Sequence, residues 1–188
     1  MKILGIAGSL RKGSFNRGAL RAAQQLVPAV ATLDIFDLDD IPVFNQDKEN
    51  PPPEPVQKMK AAVRAADAIL FVTPEYNYSV PGLLKNAIDW GSRPYGDNVW
   101  DGKPCAIMGA SLGLFGSGRA QYHLRQILLS LNLHPLNRPE VMIGGAAEKF
   151  DKEGNLTDEK TKERIKQLLD ALVNWAERLN AAPVSPRK

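Results

Sequence analysis

Short apolar runs alternate along this chain with longer stretches whose apolar residues recur every three or four positions. That is the pattern of a parallel sheet covered by helices on both faces. The runs predict strands at 2–6, 32–36, 68–73, 104–110 and 141–143, and the periodic stretches predict helices at 16–26, 56–66, 81–90, 119–131 and 158–180. The last helix carries Ile165, Leu168, Leu169, Leu172, Ala176 and Leu179 on one face, a stripe for burial against the sheet and not a cofactor box. Pro51-Pro52-Pro53 excludes helix and central strand, so 45–55 is expected to be an extended surface connection. Residues 1–180 read as one α/β domain and 181–188 as a flexible C-terminal tail. Five strand-helix units predict a doubly wound five-stranded parallel sheet of order 2-1-3-4-5, with ligands beyond the carboxyl ends of the strands where the winding reverses.

The first strand runs into Gly8-Ser9-Leu10-Arg11-Lys12-Gly13-Ser14-Phe15-Asn16. Small residues let a backbone turn tightly around an anion, Ser9, Ser14 and Asn16 offer neutral donors, and Arg11 offers charge. A helix starting near Asn16 points free N–H groups at the same place. The loop fails the triphosphate-binding pattern because Ser14 directly follows Gly13, with no lysine between them, and its Gly5, Gly8, Gly13 spacing is not that of a dinucleotide crossover. The only cysteine, Cys105, lies far off in an apolar stretch, so a cysteine phosphatase is excluded. A cradle that binds phosphate without cleaving it remains.

Under the 2-1-3-4-5 topology, loops 8–16, 74–79 and 111–118 converge. The second, Thr73-Pro74-Glu75-Tyr76-Asn77-Tyr78-Ser79-Val80-Pro81-Gly82, sets a carboxylate, two phenols, an amide and a hydroxyl between prolines. The third, from Ser111 to Gly118, is rich in glycine around Phe115. A stiff polar shelf, a small-residue rim and a phosphate cradle suit a flat aromatic ring with polar edges and one terminal phosphate, the shape of flavin mononucleotide (FMN). Main-chain amides near 75–77 would bond the ring's edge, and Tyr76 would line the ring or the ribityl chain.

Composition narrows the setting. The formal charge of +3 comes from basic and acidic residues that alternate through most of the chain, with no basic stripe interleaved with aromatics. A local anion site accounts for it, and nucleic acid is not an expected partner. One cysteine suits a reducing compartment, and neither a signal peptide nor a membrane-length apolar segment is seen, so a cytoplasmic protein is expected.

The residues Gly8-Ser9-x-Arg11-x-x-Ser14-x-Asn16 and Pro74-Glu75-Tyr76-Asn77-x-Ser79-x-Pro81-Gly82-x-Leu84-Lys85-Asn86-Ala87-Ile88-Asp89-Trp90 strongly resemble the NADPH-dependent FMN reductases, a family that includes quinone, chromate and azo reductases. The likeness runs to about Ala147. It implies a flavodoxin-like fold, bound FMN, NADPH or NADH as donor, and homodimers that often pair into homotetramers. The acceptor would be a quinone, chromate, an azo dye or free flavin. The resemblance gives Ser9, Arg11, Ser14 and Asn16 to the phosphate, with Phe15 beside them. It gives Pro74, Glu75, Tyr76 and Asn77 to the isoalloxazine, with Ser79 next in the motif, and Ser111 and Gly113 to the far rim. No protein acid or base is expected to be catalytic, since the flavin carries the chemistry.

By the same resemblance Arg93 would bind the dinucleotide phosphate or an anionic acceptor; an ordinary arginine at a helix end is the competing reading. Arg119, Tyr122 and Glu140 resemble a hydrogen-bonded set joining dimers into tetramers, against a plain exposed helix face. His123 and His134 have no partner spacing for a metal, the acidic run Asp34, Asp37, Asp39 and Asp40 reads as a solvated loop, and Cys105 as a small buried hydrophobe. A flavodoxin-type electron carrier without its own NAD(P)H site is the alternative function. Such carriers tend to be acidic, and this chain is slightly basic.

Overall fold

The central strands of the sheet are nearly uninterrupted apolar runs because helices cover them on both faces. The computed structural model describes residues 1–181. In chain order it contains β1 (Lys2–Ala7), α1 (Phe15–Leu26), β2 (Thr32–Phe36), α2 (Glu54–Ala65), β3 (Ala68–Val72), α3 (Gly82–Gly91), β4 (Pro104–Ala110), α4 (Gly118–Ser130), β5 (His134–Pro135), β6 (Val141–Ile143) and α5 (Glu159–Ala181). All strand pairings are parallel and the order is β2-β1-β3-β4-β5, with β6 also on β4. The predicted 2-1-3-4-5 winding is therefore present.

Alternation along each strand divides the core in two. On β3, Ala68, Leu70 and Val72 meet Ala19, Leu20 and Ala23 of α1 and Ile165, Leu169 and Leu172 of α5. Ile69 and Phe71 point the other way, among Val56, Met59 and Val63 of α2, Leu84 and Ile88 of α3, and Leu124 and Leu128 of α4. Both β3 and β4 are buried along their whole length.

The structure corrects the sequence reading at several boundaries. The fifth position in the sheet is shared: the predicted strand is β6, on Met108–Ala110, while the two-residue β5 takes Pro104 and Cys105. β5 is held by main-chain bonds from His134 to Lys103 (2.9 Å) and from Leu136 to Cys105 (2.7 Å). Two residues beside a proline carry no alternation from which a strand can be read. The 45–55 connection is not wholly extended. Asn45 caps a 3₁₀ turn at Gln46–Lys48, and α2 begins at Glu54, because a proline at 55 is tolerated in a first helical turn. On α5 the buried stripe runs from Ile165 to Ala176, and Leu179 is only half-buried. Ala181 still belongs to α5, and the rest of the expected tail, 182–188, lies outside the described residues.

Candidate functional site

The carboxyl ends of β1, β3 and β4 open into one cavity of about 230 Å³. It is lined by Ser9, Arg11, Ser14, Phe15 and Asn16 after β1, by Pro74, Glu75 and Tyr76 after β3, and by Ala110, Ser111 and Leu112 at the end of β4. A larger surface hollow of about 560 Å³ beside Arg138 and Arg164 shares none of these lining residues. The cavity gathers all five candidates of the first loop, Pro74, Glu75, Tyr76 and Ser111. Asn77, Ser79, Gly113 and Arg93 do not line it.

In the first loop Ser14 adopts the extended conformation of a helix cap, and its Oγ accepts weakly from the Arg17 N–H at 3.5 Å. The first N–H groups of α1 have no partner within the helix and lie at the cavity. Ser9 and Ser14 are buried, whereas Arg11 is exposed, its guanidinium 5.7 Å from the Phe15 ring. Asn16 is engaged elsewhere: its Nδ2 donates to the Ala110 carbonyl at 3.0 Å, and its Oδ1 accepts from the Ala110 N–H at 2.8 Å. Its contribution to a bound anion would come from the main chain.

The second loop is a two-residue hairpin. Tyr76 and Ser79 exchange main-chain hydrogen bonds of 3.0 Å, with Asn77 (φ 49°) and Tyr78 (φ 68°) in the left-handed region, as a type I′ turn requires. Glu75 turns its carboxylate to the start of α4, accepting from the main-chain N–H of Arg119 at 3.0 Å and of Ala120 at 3.4 Å, and from the Arg119 guanidinium. Ser117, the residue preceding α4, offers no side-chain cap, so Glu75 serves as one from 44 residues away. The Arg119 guanidinium lies over the rings of both Tyr78 (4.0 Å) and Phe115 (4.5 Å). Ser79 faces α4, its Oγ 3.0 Å from Nδ1 of His123. In the third loop Ser111 Oγ donates to the Gly113 carbonyl at 3.0 Å.

Arg93 is bonded away from the cavity. It holds Glu49 in a bidentate pair of 2.8 and 3.2 Å and stacks on Tyr95 at 3.7 Å. Of the three residues compared with a tetramer-joining set, the Tyr122 hydroxyl donates to Glu140 at 2.9 Å within one chain, and Arg119 is directed at Glu75. Burial pushes the Cys105 thiol well above its usual range, in keeping with a buried small hydrophobe. No cluster of three or more metal-ligating side chains occurs among the described residues. Sequence reasoning missed Ala110 and Leu112 as lining residues. The loop after the fourth strand pointed to their neighbourhood, but an alanine and a leucine carry no chemical signal of their own.

A doubly wound sheet with a serine-rich loop and a polar hairpin at its switch point defines a flavodoxin-like α/β protein. Residues 1–148 match the NADPH-dependent FMN reductase family, and the chain belongs to it. It is 53% identical over 180 residues to an NAD(P)H-dependent FMN reductase of Pseudomonas aeruginosa, covering 95% of this chain and 97% of the relative. It is 45% identical over 178 residues to a quinone reductase of Pseudomonas putida, covering 94% and 95%. Among solved structures, FerB of Paracoccus denitrificans, a flavoenzyme NAD(P)H:(acceptor) oxidoreductase, superposes with a TM-score of 0.86 at 39% identity over 94% of this chain and 97% of that one. The expected class is borne out: this is an NAD(P)H-dependent, FMN-linked oxidoreductase, and the electron-carrier alternative falls away. No helix of the described residues is long and apolar enough to cross a membrane.

Proposed function

We propose that the cavity at the ends of β1, β3 and β4 holds FMN and that the acceptor is a quinone. The observation that carries the site is the state of Arg11. Arg17, Arg93 and Arg119 are each paired with a carboxylate, whereas among the described residues none lies within ion-pair distance of Arg11, which lines the cavity. An unpaired guanidinium beside two buried serines and a helix N-terminus is a donor set for a phosphate.

In this reading Ser9 and Ser14 donate hydroxyl hydrogen bonds to the phosphate, the first main-chain N–H groups of α1 add the helix's positive end, and Arg11 neutralises the charge. Pro74 and Tyr76 form one wall for the ring, and Ser111 and Leu112 the other. Glu75 holds that wall against α4, and Asn77 and Ser79 shape the hairpin that carries Tyr76. When bound, FMN supplies the redox chemistry, taking two electrons from NAD(P)H and passing them to the acceptor. No side chain of the cavity has to transfer a proton, and the protein's part is to position both substrates at an open face. Relatives named as quinone reductases support a quinone as acceptor. Chromate, azo compounds and free flavin are further candidates for so open a face.

A second copy of the chain would cover the exposed Leu112, Leu114 and Phe115 beside the cavity, giving a homodimer or homotetramer. Light scattering tests this, and a monomer overturns it. The lone buried thiol suits the cytoplasm.

The test of function is an anaerobic titration of the purified protein with NADPH and then NADH, followed at about 450 nm, where oxidised flavin absorbs, before addition of a benzoquinone. Bleaching by a nucleotide and recovery on adding quinone are expected. A bound flavin that neither nucleotide bleaches, or one that quinone does not reoxidise, would overturn the reading.

A further inference from the structure

Three positions on one face of α1, spaced three residues apart, meet the same distant loop. Phe15, which lines the cavity, sets its ring 5.1 Å from that of Phe150 at 46°. Gly18 lets the backbone of Gly154 approach so closely that an added Cβ would collide with its carbonyl oxygen and lie 3.0 Å from the Phe150 ring. Arg21 donates from Nη2 to the Gly154 carbonyl at 2.9 Å.

The loop is built to hold its shape. Phe150 and Leu156 form an antiparallel bridge and both are buried. Asp151 accepts the Gly154 N–H at 3.0 Å through its carbonyl and the Asn155 N–H at 2.7 Å through its carboxylate, and its own N–H reaches the Asn155 carbonyl at 2.9 Å. Gly154 sits at φ 80°, where a side chain would be strained. The hairpin also lies beyond residue 148, past the span matched by the family.

We propose that the 150–156 hairpin braces the phosphate loop, with Phe150 a positioning residue that sets how tightly the cavity holds the phosphate of FMN. The inference rests on the FMN reading of the cavity. The chain of contact is short: Phe150 fixes the Phe15 ring, the Phe15 ring underlies the Arg11 guanidinium, and Phe15 is the first residue of α1, whose leading N–H groups face the cavity. Truncating Phe150 lets Phe15 tilt into the vacated space, so the cation and the helix start lose their alignment together.

A phosphate-specific brace predicts a phosphate-specific loss. Apo-protein of the full chain is titrated with FMN and with riboflavin, which lacks the phosphate, by quenching of flavin fluorescence. This is done for the wild type, Phe150→Ala, Phe150→Leu and Arg21→Ala, with circular dichroism and melting of each. The wild type is expected to prefer FMN. In Phe150→Ala the FMN dissociation constant rises about tenfold while that of riboflavin moves less than twofold, and Phe150→Leu recovers part of the preference. If Phe150→Ala does not fold, Arg21→Ala decides, with an expected loss of about threefold in the FMN-to-riboflavin ratio. A ratio left at the wild-type value, or parallel loss of both ligands, overturns the brace and leaves the FMN reading standing. A wild type that does not distinguish FMN from riboflavin overturns the phosphate assignment and the brace with it.

Discussion

The side-chain amide of Asn16 and the main chain of Ala110, 94 residues apart, exchange two hydrogen bonds of 3.0 and 2.8 Å. Asn16 thereby offers the end of β4 what a neighbouring strand would have offered. Both partners are buried, so Asn16→Ala strands a main-chain donor and acceptor at the end of β4. A loss of roughly 2–4 kcal/mol is expected in denaturant unfolding of the apo-protein. Asn16→Asp should also destabilise, since it replaces the donor to the Ala110 carbonyl with a carboxylate oxygen. A variant as stable as the wild type would show that the pair is not needed.

Glu75 ties the hairpin after β3 to the first turn of α4. Its side chain is 11% exposed and that of Arg119 36%, so the cap should outweigh the screened ion pair. Glu75→Ala is expected to cost about 1–2 kcal/mol, and Arg119→Ala less than half of that. Urea unfolding of both variants and the double mutant separates the contributions, and the reverse order would make the ion pair the dominant one.

Lys60, 2% exposed, donates to the Asp97 carboxylate at 2.6 Å and to the Arg93 carbonyl, and Arg64 reaches the other Asp97 oxygen. The hydrogen bond from Lys60, with help from Arg64, lowers the Asp97 pKa below its ordinary value of 3.8. Because the folded pKa lies below the unfolded one, the stabilisation is complete above the unfolded pKa and is lost as pH falls through the folded one. Asp97→Asn should therefore be less stable than the wild type at pH 7, with the gap narrowing on acidification below about pH 4. Equilibrium unfolding at several pH values checks this, and a gap independent of pH would assign the effect to packing.

Cys105 should be inert in the native protein. It is fully buried, and burial pushes its thiol well above the usual range, so the thiolate that reacts is scarce and inaccessible. Iodoacetamide at pH 8 is expected to leave the folded protein unlabelled and to add one equivalent after denaturation. Labelling of the native protein at the denatured rate would contradict the burial.

The architecture was legible because parallel strands buried on both faces are written as apolar runs, such as Ala68 to Val72, and amphipathic helices as periodic ones. The loops at the switch point could be found for the same reason: they follow those runs directly. What each polar group bonds to was not legible, since partners such as Glu75 and Arg119, or Glu49 and Arg93, come together only in the folded chain. Arg93 and Arg11 carry the same charge in the sequence, and only the folded neighbourhood separates the paired cation from the unpaired one. β5 escaped notice because its two residues gain their place from the edge of β4, not from any pattern of their own.

The hairpin that carries Tyr76 puts a tyrosine, Tyr78, at φ 68°, where glycine is the comfortable residue and a bulky side chain costs about 1–2 kcal/mol. The chain keeps the ring there regardless, stacked on Arg119 and two-thirds open to solvent. Sequence optimisation that scores backbone comfort alone would write glycine at this position and gain a sturdier turn. It would also strip one of the two rings from the Arg119 guanidinium, so this corner of the molecule is a place where thermostability and the packing of the hairpin on α4 pull in opposite directions.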